Sequence, residues 1–222
     1  MKNENSIFVY KMTADNGGAP CVHDGLLSLC ICKPDIRKAA KGGDWIIGMG
    51  GTSVSDLKDR VIYVAKVKDR IDGSEYYKEQ KYKNRPDCIY QFNDEIYEYK
   101  KNAIYHDDPD CLEHDLGKKE NNYDRAICLI SDEFIYFGDN DKPTIDTIKD
   151  IYDNLPRNYK QNHDENIFNR LNNFIMELKK EYSYGHHGNP THKDTSKKCG
   201  ESEHGGVSNY SKRQKQCQKK QF

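Results

Sequence analysis

Residues 42–51, GGDWIIGMGG, constrain the fold most, because a short β-favouring apolar run lies between two glycine-rich turns. The run Trp45–Ile47 favours a buried strand, and Asp44 can close the first turn by bonding to nearby backbone. Gly50 and Gly51 let the backbone leave the sheet or approach a ligand closely. The single tryptophan of the chain is therefore either one wall of a small pocket or a core residue beside a tight turn.

Length and polarity limit the class of protein. The chain has 222 residues, of which 32% are charged, and its mean hydropathy is -1.01. No stretch approaches the roughly 18 apolar residues of a membrane helix, and the start, MKNENSIFVY, lacks the apolar segment of a signal peptide. We therefore expect a soluble, cytoplasmic protein with one main domain.

The order of strand and helix signals predicts an α+β fold. Pro34 begins one short early helix, PDIRKAAK, and two C-terminal helices follow, one that ends at Leu155 and one in 163–181 with an apolar stripe. The strands are short, which favours a small PUA-like mixed β-barrel with helices packed at its ends. Five to seven short strands are predicted. The β-favouring segments that supply them are SIFVYKM, LLSLCICK, WIIG, RVIYVAKV, CIYQF, EIYEYKKNAIY and a hairpin of RAICLIS and EFIYFG.

A change in composition after Tyr182 predicts the domain boundary. Residues 1–182 are expected to form a single α+β domain, and residues 183–222 a disordered basic tail rich in His, Lys and Gln. Residues 193–222 contain eight Lys and Arg against three Asp and Glu, although the whole chain has a net charge of -1. The tail therefore either contacts a polyanion or keeps the protein soluble.

The eight cysteines indicate buried thiols more than disulfides or metal sites. Cys30 and Cys32 have the spacing C-x-C, so both lie on one face of the predicted strand, where they can hold a metal. No second pair of matching spacing follows, and the histidines and cysteines of the tail match no zinc-finger spacing. We therefore predict neither a metal nor a cofactor.

A pocket for an unstacked base needs aromatic faces and groups that hydrogen bond to the base edge. Trp45 and tyrosines supply faces, while lysine and arginine side chains can bind a phosphate. The segment Arg85-Pro86-Asp87 is equally well explained as a turn in which Arg85 pairs with an acid. The predicted ligand-binding residues are Tyr10, Lys11, Asn16, Lys33, Arg37, Asp44, Trp45, Gly50, Gly51, Arg85, Asp87 and Tyr90.

A polar run in the middle of the chain carries the residue types of acid and base catalysis. It contains imidazole and carboxylate groups that act as general bases or metal ligands in hydrolysis. Such a run is also typical of a solvated loop. The predicted catalytic residues are His106, Asp108, His114 and Asp115, with Asp107 in the same run.

Together, the segments LLSLCICKPDIRKAAKGGDWIIGMGG, VIYVAKV, RPDCIY and LISDEFIYFG resemble the second family of nucleotide modification associated domains. The resemblance covers roughly residues 8–137. It implies a place beside enzymes that modify DNA bases in phages or bacteria. A weaker similarity to the PUA-like group, with its EVE and YTH domains, implies a barrel that binds a modified base.

Three functional hypotheses follow from the resemblance and the residues. The first is a binding module that recognises a modified base, nucleotide or DNA, with Trp45 as one wall of the pocket. The second is an enzyme of hydrolase or transferase type that acts on a modified nucleotide or base through the His106 to Asp115 run. The third is a subunit that docks onto partner proteins of a DNA-modification system.

Overall fold

A computed structural model describes residues 5–51, 58–106, 108–140 and 143–192. These residues form a mixed α+β fold with three β-sheets and five α-helices. The helices are α1 (Pro34–Ala39), α2 (Gly73–Lys78), α3 (Pro109–Leu116), α4 (Lys149–Asp153) and α5 (Glu165–Glu181). The strands are β1 (Ile7–Met12), β2 (Cys21–His23), β3 (Leu26–Leu29), β4 (Trp45–Gly50), β5 (Val61–Lys66), β6 (Asp69–Asp72), β7 (Tyr90–Asn93), β8 (Ile96–Tyr99), β9 (Ile127–Ser131), β10 (Glu133–Tyr136), β11 (Tyr159–Lys160) and β12 (Gly185–His186).

The largest sheet has the strand order β11-β1-β4-β5-β10-β12 and separates two apolar cores. Strands β1 and β4 run parallel, with Ile7 opposite Trp45. Since side chains alternate between the faces of a strand, Ile7 and Val9 join the core beneath α5, whereas Phe8 and Tyr10 join the core on the other face. Trp45 packs on the α5 side, as its register requires.

A second sheet, β2-β3-β9-β6, and the two-stranded sheet β7-β8 lie on the side away from α5. A third core cluster forms here, and tyrosines dominate it. Tyr77 makes edge contacts with both Tyr90 and Tyr97, with ring centroids 5.5 Å and 5.9 Å apart. Many of the 16 tyrosines of the chain are therefore packing residues.

Helix α5 confirms the periodicity in the sequence. Asp164 caps its N-terminus, where the carboxylate accepts a hydrogen bond from the Ile167 backbone at 2.8 Å. Its apolar stripe packs against the largest sheet through Leu171, Phe174, Ile175 and Leu178. In the described part of the chain, no helix combines the length and apolar character that crossing a membrane requires.

The prediction of a closed barrel is not confirmed, because the sheets within the described residues are open. The predicted β9-β10 hairpin is also wrong, since β9 pairs with β3 and β6 whereas β10 pairs with β5 and β12. The chain changes sheet at Asp132. This change lets Leu129, Ile130 and Ile135 reach three different core clusters, which a hairpin would not allow.

Two helices and several short strands differ from the sequence expectations. Helix α2 follows β6 because Asp72 caps it by accepting from the Ser74 backbone at 2.7 Å. Helix α3 lies in the run predicted as an irregular polar loop. Caps rather than apolar periodicity start both helices, and the described residues contain twelve strands instead of the five to seven expected.

Residues 183–192, which the sequence assigned to the tail, are part of the described fold. Strand β12 pairs with β10 in parallel, with Gly185 opposite Ile135. Further on, the backbone of His192 donates to the Asp15 carbonyl at 2.8 Å, and the Asp15 backbone donates to His192 Nδ1 at 3.1 Å. Residues 193–222 lie outside the described residues.

Candidate active site

Cys32 lies in the turn between β3 and helix α1, and its backbone is unusual. Both Cys32 and Lys33 adopt left-handed conformations, with φ values of 54° and 43°. Such conformations cost energy in residues other than glycine and cluster at functional sites. The thiol of Cys32 is half-buried.

The two thiols of the C-x-C pair do not share a site, which corrects the expected common strand face. Strand β3 ends at Leu29, so Cys30 and Cys32 lie beyond it. Cys30 is fully buried and its thiol hydrogen bonds to Cys128 on β9. The left-handed turn directs Cys32 instead toward His106.

Cys32, His106 and Asp115 form a compact cluster in space. The Sγ atom of Cys32 lies 3.3 Å from Nε2 of His106, and Nδ1 of His106 lies 2.7 Å from Oδ2 of Asp115. His106 has a left-handed backbone with φ of 54° and is 7% exposed, while Asp115 on α3 is fully buried. A nucleophile, an imidazole and an orienting carboxylate therefore stand in the order used by thiol enzymes.

Asp115 also holds Cys32 and Tyr90. Its Oδ1 atom accepts a hydrogen bond from the Cys32 backbone at 2.6 Å, and its Oδ2 atom accepts one from the Tyr90 hydroxyl at 2.8 Å. These bonds fix the carboxylate relative to both the nucleophile and His106. Tyr90 was predicted as a base-stacking face and instead supports the carboxylate.

Arg37 of helix α1 ties together the segments that carry these residues. Its guanidinium is fully buried and donates to the carbonyl oxygens of Cys32 and Asp115 at 2.7 Å and 2.6 Å. Two further bonds of 2.6 Å reach the carbonyl oxygens of Arg125 and Ile127. Arg37 is therefore a structural brace in this protein, and its donors do not point to a phosphate site.

The electrostatics of the site favour a protonated His106. Burial lowers the pKa of the imidazole, but its hydrogen bonds with Asp115 and Cys32 outweigh burial and raise the pKa to about 11. Burial by itself raises the pKa of Asp115, whereas His106 and Arg37 lower it, and the net direction is downward. The arrangement therefore favours an imidazolium that bonds to the Asp115 carboxylate and to the Cys32 sulfur.

The same three side chains also have the atom types of a metal site, with ligand atoms within 4.8 Å of one another. A metal would have to displace hydrogen bonds that the protein already makes. His106 directs its two nitrogens to different partners, and both oxygens of Asp115 accept hydrogen bonds. The described hydrogen bonds link the three side chains as in a Cys-His-Asp site, and their donor atoms are also of the types that bind a metal.

The predicted catalytic residues separate into two groups. The structure brings His106 and Asp115 together but not Asp108 and His114. Asp108 caps helix α3, accepting from the Asp110 backbone at 3.0 Å, while His114 is exposed on the same helix. Asp107 lies outside the described residues.

Cys32 is the candidate functional residue that the sequence analysis missed. A signal was present, because a cysteine with histidine and aspartate elsewhere in the chain is a candidate nucleophile. Cys32 and His106 are 74 positions apart, so the sequence alone does not show that they pair.

The predicted base pocket is divided by the central sheet. Trp45 lies on the α5 side, half-buried, with Lys179 Nζ 5.5 Å from its ring centroid. Tyr10 lies on the opposite face, where its hydroxyl is 3.0 Å from that of Tyr63. These two predicted stacking faces therefore do not form one pocket.

Other predicted ligand residues near this sheet make structural contacts. Asp44 confirms the expected turn, accepting from the Lys41 backbone at 2.9 Å. Lys11 lies over the Tyr152 ring at 4.4 Å, and Asn16 accepts from the Gly18 backbone at 3.1 Å. The remaining two are Gly50, whose carbonyl accepts from Tyr152 at 2.7 Å, and Gly51, whose amide donates to Met12 at 2.7 Å.

Arg85 and Asp87 form a second buried polar network, distinct from the triad. Arg85 donates to Ser28 Oγ at 2.6 Å and to the His23 carbonyl at 2.7 Å. Asp87 accepts from the hydroxyl groups of Ser28 and Tyr76 at 2.5 Å and 2.7 Å. This network joins β2 and β3 to the segment after α2, as the turn alternative implies.

Comparison with protein-family models matches residues 4–197 to the family described as nucleotide modification associated domain 2. The match covers most of the chain and confirms the resemblance seen in the sequence motifs. No curated protein matches the chain, and neither does any solved structure.

Proposed function

Because this chain belongs to the nucleotide modification associated domain 2 family, we propose that it is an enzyme of nucleotide modification in which Cys32 forms a covalent acyl intermediate. The observation that carries this proposal is the contact of 3.3 Å between Cys32 Sγ and His106 Nε2, backed by Asp115. The substrate class is an amide or ester group carried by a nucleotide or a modified base.

The reaction follows from the charges of the triad. The sulfur of Cys32 attacks the carbonyl carbon, and His106 donates its Nε2 proton to the leaving amine or alcohol as the carbon to nitrogen or oxygen bond breaks. A thioester on Cys32 remains. Neutral His106 then takes a proton from water or an acceptor amine, which attacks the thioester and releases the sulfur.

The fold assigns separate tasks to the supporting residues. Asp115 keeps His106 in the orientation that directs Nε2 to Cys32 and stabilises the imidazolium. Arg37 fixes the carbonyl oxygens of Cys32 and Asp115, so nucleophile and carboxylate cannot move apart. Cys32 is half-buried, whereas five other cysteines in the described part of the chain are buried.

The test is acyl transfer from p-nitrophenyl acetate, followed by intact and peptide mass spectrometry. We expect one acetyl group on Cys32, none in Cys32→Ala, and slower acetylation in His106→Gln. Cys128→Ala is the matched control, since its thiol is buried. Acetylation spread over several cysteines, or unchanged in His106→Gln, would contradict the proposal. A panel of acylated and amidated nucleotides then identifies the leaving group.

A second candidate, the modified-base reader, is supported by the surface around Trp45. Lys179 Nζ lies 5.5 Å from the ring centroids of both Trp45 and Tyr184, and Tyr184 is 43% exposed. Accessible aromatic faces beside a cation suit a stacked base near a phosphate. Fluorescence anisotropy of dye-labelled short DNAs tests this function, and it predicts loss of binding in Trp45→Leu.

A further inference from the structure

Lys33 places a cation beside the proposed nucleophile. It follows Cys32 directly, and its left-handed backbone, with φ of 43°, directs the side chain back across β1. There Nζ lies 5.1 Å from the centroid of the Tyr10 ring. Tyr10 is fully buried, so the ammonium rests on an apolar wall next to the thiol.

Apart from the neighbouring Cys32 sulfur, this ammonium has no anionic partner among the described residues. No hydrogen bond or salt bridge joins Nζ to residues 5–51, 58–106, 108–140 or 143–192, whereas Lys38 on helix α1 pairs with Asp124 at 2.7 Å. Burial lowers the pKa of Lys33, and the neighbouring Cys32 offsets this only in part. Since Cys32 compensates the burial of this cation only in part, a further anion placed beside Nζ would be favoured.

We propose that Lys33 is a substrate-binding residue that selects an anionic group, a phosphate or a carboxylate, on the molecule that Cys32 attacks. The inference rests on the proposed function, because it takes Cys32 as the reacting atom. It narrows the substrate class to acyl compounds that carry an anionic group close to the carbonyl carbon. The distance between the two groups must not exceed the length of a lysine side chain. A nucleotide phosphate meets this requirement.

The test compares an anionic and a neutral reagent at the same sulfur. Iodoacetate and iodoacetamide both transfer their CH2 carbon to the Cys32 sulfur and release iodide, and peptide mass spectrometry measures each rate. Any general effect of Lys33 on the sulfur cancels in the ratio of the two rates. Only attraction of the reagent's carboxylate by Lys33 changes that ratio.

We expect Lys33→Met to lower the iodoacetate to iodoacetamide ratio about two- to fivefold, the size of one partly screened charge pair. Lys33→Arg should preserve the ratio, and so should the matched control Lys38→Met. Inorganic phosphate or acetate, compared at equal ionic strength, should slow iodoacetate in wild type but not in Lys33→Met. The stronger protector identifies the preferred anion.

An unchanged ratio in Lys33→Met would overturn the inference. Failure of the proposed function would give a different result. The alkylation rate of Cys32 would then be the same in wild type and His106→Gln, while Lys33→Met would still lower the iodoacetate to iodoacetamide ratio. Thermal unfolding of each variant shows whether a lower rate reflects loss of folded protein.

Discussion

Asp115 holds Cys32 by its backbone, because Oδ1 of the carboxylate accepts a hydrogen bond from the Cys32 amide at 2.6 Å. The same carboxylate bonds to His106 through Oδ2 at 2.7 Å. One buried side chain on α3 thus positions the nucleophile and its acid at once. The distance between sulfur and imidazole depends on where α3 packs against the start of α1.

Replacing Asp115 with Asn should therefore affect both stability and reactivity. The variant leaves His106 without its charged partner inside the protein, which we expect to cost about 3 kcal/mol or more in the free energy of unfolding. Urea unfolding measures this loss, and iodoacetamide labelling should show slower alkylation of Cys32. Glu113→Gln, an exposed change on the same helix, should stay within about 0.5 kcal/mol of wild type.

His106 should make stability depend on pH in a defined window. The unfolded imidazole titrates near pH 6.5, whereas the folded pKa is raised to about 11. Between these values the unfolded chain binds fewer protons, so the stabilisation from His106 is complete below the lower value and is lost as pH rises toward the upper one. Urea unfolding of wild type and His106→Gln should show a difference that shrinks with pH. A difference independent of pH would contradict the raised pKa.

Arg37→Met should be among the most destabilising substitutions in helix α1. It leaves four carbonyl oxygens, one of them on the buried Asp115, without their donor, and we expect a loss of about 3 to 5 kcal/mol. Arg37→Lys should not restore stability, because an ammonium cannot reproduce the planar guanidinium fork. Lys38→Met on the exposed face is the control, and an equal loss there would refute the role of Arg37.

Trp45→Leu should separate the two candidate functions. Trp45 lies on the α5 face of the central sheet and the triad lies on the other side, so acetylation of Cys32 should change less than twofold relative to wild type, as expected for well-separated sites. DNA binding, if it occurs at Lys179 and Tyr184, should be lost. A large loss of acetylation by folded Trp45→Leu protein would show that the two faces belong to one site.

Truncation should locate the C-terminal limit of the domain. Ending the chain after Tyr182 removes β12 and the hydrogen bonds between His192 and Asp15, which we expect to cost about 2 kcal/mol or more. Ending it after His192 keeps every one of these contacts. Thermal unfolding of the two truncated proteins compares their stabilities directly. Equal stabilities would place the C-terminal end of the domain at residue 182, as the sequence predicted.

The sequence predicts elements whose signals are local. Pro34 and Asp44 each act on neighbouring backbone, and α1 and the turn before β4 were predicted from them, while α5 was predicted from its apolar stripe. Neighbouring residues do not determine whether β9 pairs with β10 or with β3. The pairing depends on which core cluster receives each side chain, so the predicted hairpin and barrel were wrong.

Half of the predicted catalytic run belongs to the triad, and the residue types explain why. His106 and Asp115 are residue types that catalysis uses, and the sequence shows this. Asp108 and His114 are of the same types, but Asp108 caps helix α3 and His114 is exposed to solvent. Cys32 was interpreted as a metal ligand or buried thiol because its neighbour Cys30 suggested a pair. Its left-handed backbone, invisible in the sequence, directs it to His106.

The most direct test of the account is the rate of alkylation of Cys32 by iodoacetamide in wild type and His106→Gln between about pH 6 and pH 9, a range that spans the ordinary titration of a thiol. We predict that wild type reacts at least about tenfold faster near pH 6, because the imidazolium stabilises negative sulfur there, and that the two rates converge as pH rises. Equal rates in both proteins across the whole range would contradict the claim that His106 activates Cys32.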